Sequence, residues 1–161
     1  MTTLTQTQLK KRIRICMWTI MIGLFLSGVT AFPLETELGW LKDHLTWLPV
    51  ALQQWIATIY NILNTVNAQY PYLSYGTDWL AFAHVMLAIL FIGPLRDPVK
   101  NIWVIQFGMI ACALILPLAL IAGPIRQIPF FWRLIDCSFG VFGIIPLWIG
   151  YVLSRKLEVN K

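Results

Sequence analysis

Residues 130–155, FFWRLIDCSFGVFGIIPLWIGYVLSR, form an apolar run long enough to cross a bilayer, yet Arg133 and Asp136 stand near one end of it. Asp136, Gly140, Gly143, Leu147 and Gly150 follow one another at steps of four, three, four and three, so a helix places them on a single stripe headed by a carboxylate. An ionised group in hydrocarbon costs about 2.5–3.5 kcal/mol on insertion scales, and glycine faces let membrane helices pack closely. The stripe is therefore expected to face protein.

Three more apolar runs complete the pattern, and the spans are expected at about 15–32, 78–95, 102–122 and 130–154. Of the 161 residues, 58% are hydrophobic and 12% charged, half the roughly 25% of charge usual in soluble domains. The expected fold is all-α: an integral membrane four-helix bundle, one domain over 1–161. A net charge of +5 does not point to nucleic acid, because the basic residues sit in small groups at the ends of apolar runs. Cys16, Cys112 and Cys137 lie in or beside apolar segments without metal or disulfide spacing, and read as small core residues. The basic Lys10–Arg14 cluster and the small residues ending at Ala31 resemble a cleavable leader; the run between them is read as a retained first span after a polar tail over 1–9.

The connection over 34–77 is far longer than packed helices need, so it should carry structure of its own. Leu38, Leu41, Leu45 and Leu48 repeat at helical spacing, and after Pro49 so do Leu52, Trp55, Ile56, Ile59, Leu63 and Val66. Polar residues interrupt both stripes, which predicts two amphipathic helices forming an extracytoplasmic cap. Tyr70, Tyr72 and Tyr75 then resemble an interfacial belt. Asp78 is expected to cap the second span and Gly93-Pro94 to end it, while Pro117 should kink the third or free a carbonyl there. Thr19, Gly23, Ser27 and Thr30 give the first span a small-residue side, expected against the glycine edge of the last.

With a cytoplasmic N-terminus, nine Lys and Arg fall inside and only Lys42, Arg126 and Arg133 outside. That bias places both termini in the cytoplasm, and the compact loops suggest a bacterial inner membrane. His84 and Asp136 then lie at similar depths of ~7–9 Å from the outer boundary. Together with Arg133 and Arg126 they form the one constellation resembling a site.

The expected role is binding or assembly, an accessory subunit docking a partner or lipid on its outer side. The partners implied are the bilayer and a membrane protein or a second copy of the chain. The alternative is an outward-facing enzyme or carrier, in which Asp136 acts as base or proton acceptor, His84 as its hydrogen-bond partner, and Arg133 and Arg126 hold an anion. A purely structural pin is the third use of the same residues. No cofactor or metal is expected: His44 sits in the outer amphipathic segment, poorly placed to pair with His84 on a haem, and two ligands do not make a metal site. No G-x-S-x-G, H-E-x-x-H or phosphate-cradling glycine loop occurs.

Overall fold

The computed structural model describes residues 5–159, so residues 1–4 of the expected tail and Lys161 of the charge count lie outside the described residues. Every regular element among the described residues is helical. In order they are α1 (Gln6–Ala31), α2 (Leu34–His44), α3 (Val50–Gln69), a 3-10 turn (Pro71–Leu73), α4 (Tyr75–Leu90), α5 (Ile92–Arg96) and α6 (Ile102–Pro117). A π-helical segment (Leu118–Ala122), α7 (Gly123–Ile125) and α8 (Phe130–Val159) complete the chain. Four helical stretches are long and apolar enough to cross a membrane: Gln6–Ala31, Pro71–Arg96, Ile102–Ile125 and Phe130–Val159.

The chain divides into two compact units, Leu24–Leu87 and the remainder. In the larger unit, α1 begins well before its apolar run. Thr5 and Gln8 form a reciprocal capping box, the Thr5 N–H donating to Gln8 Oε1 at 3.0 Å and the Gln8 N–H to Thr5 Oγ1 at 3.4 Å. The expected tail is therefore helical from Gln6, and Leu9, Ile13, Cys16 and Met17 make a buried stripe at helical spacing. Gly150 of α8 receives this stripe: a Cβ there would lie 2.7 Å from Met17 Cε. Between α6 and α8 the backbones come closer still. A Cβ on Gly140 would lie 2.5 Å from the Cys112 carbonyl oxygen, and one on Gly143 would lie 2.9 Å from Cys112 Sγ. Gly108 of α6 answers with its own gap, filled by Phe91 and Leu147. Ser154 is fully buried and donates to the Gly150 carbonyl at 2.7 Å, so its hydroxyl needs no outside partner.

Neither Gly-Pro pair ends its helix. After the break at Phe91, α5 runs through Gly93-Pro94 to Arg96, and the chain turns only at Asp97. A proline in a first turn forfeits no intrahelical bond, because those N–H groups lack partners in any case. Gly123-Pro124 likewise opens α7, which follows the π-helical widening just after Pro117, where the missing N–H disrupts the regular ladder. The true stop is a Schellman motif: the Ile128 N–H donates to the Gly123 carbonyl at 2.9 Å and the Gln127 N–H to Pro124 at 3.0 Å. Gln127 takes the left-handed conformation this requires, at φ 57°.

In the smaller unit α2 and α3 pack on each other through Leu38, Ile56 and the close approach of Gly39 to the Tyr60 ring. Polar links reinforce the pair. Glu35 accepts from Asn64 at 2.7 Å and from Asn67 at 2.5 Å, and Asn67 in turn accepts from Ser74. Lys42 lies 4.3 Å over the Tyr60 ring. Gln53 donates to the carbonyls of Thr46 and Leu48, closing the α2–α3 turn. Asp78 sits in the first turn of α4 rather than capping it, because the helix starts three residues earlier.

Candidate functional site

The sequence-predicted site residues fall in both units. His84 lies on α4 in the smaller one, where its Nδ1–H donates to the Leu80 carbonyl at 2.8 Å. A carbonyl can only accept, so Nδ1 carries the proton of this bond. His44 repeats the arrangement, donating to Trp40 at 2.8 Å and stacking on its indole at 4.6 Å between centroids.

Asp136, Arg133 and Arg126 lie in the larger unit. Arg133 and Asp136 are half-buried and one turn apart on α8, but among the described residues no ion pair or hydrogen bond engages the Asp136 carboxylate. Arg133 turns its aliphatic stem over Gly123 instead: a Cβ on that glycine would meet Arg133 Cδ at 2.5 Å. Its guanidinium carbon sits 5.2 Å from the Phe130 ring centroid, within cation–π range, and its buried Nε has no acceptor among the described residues. Arg126 is exposed at the turn that closes α7. The geometry thus joins Arg133 to the Gly123 turn, three residues from Arg126, and presents two cations without a carboxylate between them.

The small residues chosen for helix packing part company. Gly140, Gly143 and Gly150 each sit where a methyl group would overlap a neighbour, as the distances above show. Gly23 does not: nothing lies within 4 Å of a Cβ placed on it, and Ser27 is exposed. The reason is complementarity. Gly150 already supplies the hollow, so α1 presents a large side chain, Met17, instead of a second small one. In the smaller unit the close approach on α1 falls at Gly28, where a Cβ would stand 2.7 Å from the Ala81 carbonyl oxygen. Sequence reasoning passed over Gly28 because the small-residue spacing it followed ran through Ser27; the signal that could have found it is Ala81 and Val85, one turn apart on α4, as a narrow facing surface.

Among the described residues no three His, Cys, Asp or Glu side chains gather as a metal ion would need. No known protein family, curated protein or solved structure matches this chain.

Proposed function

We propose that this chain is a four-span integral membrane protein of the bacterial inner membrane that acts as a binding or accessory subunit, with both termini cytoplasmic and α2–α3 forming an outer cap. The observation that carries the membrane reading is how much large apolar surface stays outside the helix contacts: glycines mark the closest helix approaches and a short row of aliphatic residues fills the core, while many phenylalanines, leucines and tryptophans face out. Only 22–28% of the most apolar window of each long helix is buried. In water each exposed Leu or Phe would forgo about 1.5–3 kcal/mol of burial, whereas acyl chains accept them. The hydroxyls agree: Thr19 and Thr30, both exposed, donate to the carbonyls of Ile15 and Leu26 and so turn no unpaired donor outward.

The docking role draws its support from the cap. The α2–α3 hairpin is closed by its own contacts, yet its turn carries Trp47 at 76% exposure. An indole held out on a closed hairpin suits a partner surface or a headgroup layer. Alkaline carbonate extraction should leave the chain in the membrane pellet. A photo-crosslinking residue at Trp47 should yield a discrete protein adduct in intact cells, while the same probe at Trp148 on α8 yields lipid only. Lipid-only products at both positions would remove the docking role and leave the span assignment standing.

A second reading has one observation in its favour, the buried and acceptor-less Nε of Arg133. It makes Arg133 and Arg126 the clamp for an anion on the outer side. Replacing Arg133 by Lys keeps the charge and removes the planar donors, so anion-dependent stabilisation should vanish in that variant if the clamp exists.

A further inference from the structure

Where α1 begins and α8 ends, the larger unit has a cleft of about 180 Å³. Its charged lining is Lys10 and Arg14 from α1, one turn apart, with Arg96 and Asp97 from the end of α5. Its apolar lining includes Ile13, Pro94 and Leu157, all fully buried. The turn that contributes Arg96 is firmly built. Asp97 accepts from the N–H groups of Val99 and Lys100 at 3.2 and 3.1 Å, and Asn101 donates to the carbonyls of Gly93 and Asp97. Lys10, Arg14 and Arg96 form no ion pair among the described residues, so three cations outweigh one carboxylate that already accepts backbone bonds.

We propose that this cleft holds a phosphate group, carried either by the headgroup of an anionic phospholipid or by a free phosphate species. Guanidinium forks match phosphate oxygens in pairs, and basic hollows between membrane helices on the cytoplasmic side suit such headgroups. Size points the same way: pockets for whole drug-sized ligands run to about 300–1,000 Å³, so this one takes a headgroup and little more. The apolar floor beside the cations fits a ligand that is charged at one end. Sequence position alone does not select these residues. Lys11 and Arg12 lie between Lys10 and Arg14 yet do not line the cleft. Only the lipid source rests on the membrane reading; binding of free phosphate does not.

The test compares two variants of equal charge in the full-length, detergent-purified protein. One carries Lys10→Gln, Arg14→Gln and Arg96→Gln; the other carries Lys11→Gln, Arg12→Gln and Lys100→Gln. Phosphatidylglycerol adducts are counted by native mass spectrometry, and inorganic phosphate is titrated by calorimetry at constant ionic strength. The first variant should weaken binding on the order of a hundredfold, about fivefold for each cation, and the second should leave it near wild type. Phosphatidylglycerol binding that inorganic phosphate does not displace identifies the lipid source; saturable binding of inorganic phosphate identifies the free one. If neither probe binds, or if both variants lose affinity equally, the cleft is not the site. Arg14→Glu alone, at an exposed position, repeats the comparison should the triple variant fail to fold. Release of the chain by carbonate would end the membrane reading while leaving the phosphate titration to decide the cleft.

Discussion

Gly140→Ala is the sharpest perturbation of the α6–α8 contact. The added methyl carbon would stand 2.5 Å from the Cys112 carbonyl oxygen, where a comfortable carbon–oxygen contact is about 3.3 Å, so the helices must part locally by roughly 0.8 Å. A backbone carbonyl cannot swing aside as a side-chain tip can. A gap of that size forfeits about a quarter to a half of the attraction of each neighbouring contact, including Leu147 in the hollow of Gly108. Overpacking of this kind costs about 1–3 kcal/mol; taking 2 kcal/mol, the melting temperature of a chain this long falls by about 4–8 °C. Gly23→Ala is the control, because the new methyl meets nothing within 4 Å and helix propensity favours Ala by about 0.5–1 kcal/mol. Gly143→Ala supplies a second, since its obstacle is Cys112 Sγ at 2.9 Å. Adding Cys112→Ala should rescue Gly143→Ala but not Gly140→Ala, whose obstacle is backbone. Thermal unfolding in detergent micelles reads the five variants against the unsubstituted protein. Equal melting of Gly140→Ala and Gly23→Ala would refute the packing argument.

Three further outcomes are expected. Hydrogen bonds from Asn67 and then Asn64 hold the Glu35 carboxyl below its ordinary 4.5, so its contribution to the α2–α3 pair is complete above that pH and lost as pH falls through the lower native value; amide protection across α2, corrected for the intrinsic pH dependence of exchange, should fall in that window, and Glu35→Gln should abolish the step. Gln127→Gly removes the cost of a left-handed side-chain-bearing residue and should stabilise by about 1 kcal/mol, against a loss for Gln127→Val. Asp136→Asn should leave thermal stability equal or higher, because no described donor engages the carboxylate; a clear fall in melting temperature would reveal a pinning partner.

Much of this fold can be read from pattern alone, and the exceptions share a physical cause. Long apolar runs admit few structures other than helices, so the four long helices and the two helices of the connection follow from hydropathy and period. Ends are harder. Gly93-Pro94 and Gly123-Pro124 look like stops, but proline at the head of a new turn is compatible with helix, and the real endings depend on Asp97 and on a glutamine in a glycine's conformation. The start of α1 was legible in principle, since Thr5 to Gln8 is a capping-box spacing, yet the polar composition of the segment outweighed it. Facing is harder still. The glycine edge of α8 can be drawn from spacing, but whether its neighbour answers with a small residue or a large one is a choice the pattern does not contain, and Met17 opposite Gly150 is the large one. Side-chain direction is equally hidden: the one-turn spacing of Arg133 and Asp136 permits a salt bridge, while the hollow at Gly123 draws the arginine stem elsewhere.

The charges of the larger unit make sense together along α8. Arg133 and the cleft residue Leu157 are separated by about 36 Å of helix at 1.5 Å per residue, a little more than the ≈ 30 Å of a hydrocarbon core. Between them the only acidic or basic residues are Asp136, one turn from the first boundary, and Arg155 and Lys156, at the second. A helix so divided can sit with Arg133 and Arg126 in one headgroup layer and Lys10, Arg14 and Arg96 in the other. On the proposed membrane reading, that placement would let Asp136 lack a partner among the described residues: near an interface the penalty for a carboxylate is a fraction of its midplane value, and water reaches one turn inward. Moving the same carboxylate to the middle of the helix, by Asp136→Asn combined with Ile144→Asp, restores the chain's net charge but removes that access. The double variant should insert poorly or melt well below Asp136→Asn alone, and equal stability of the two would mean that α8 does not lie in hydrocarbon.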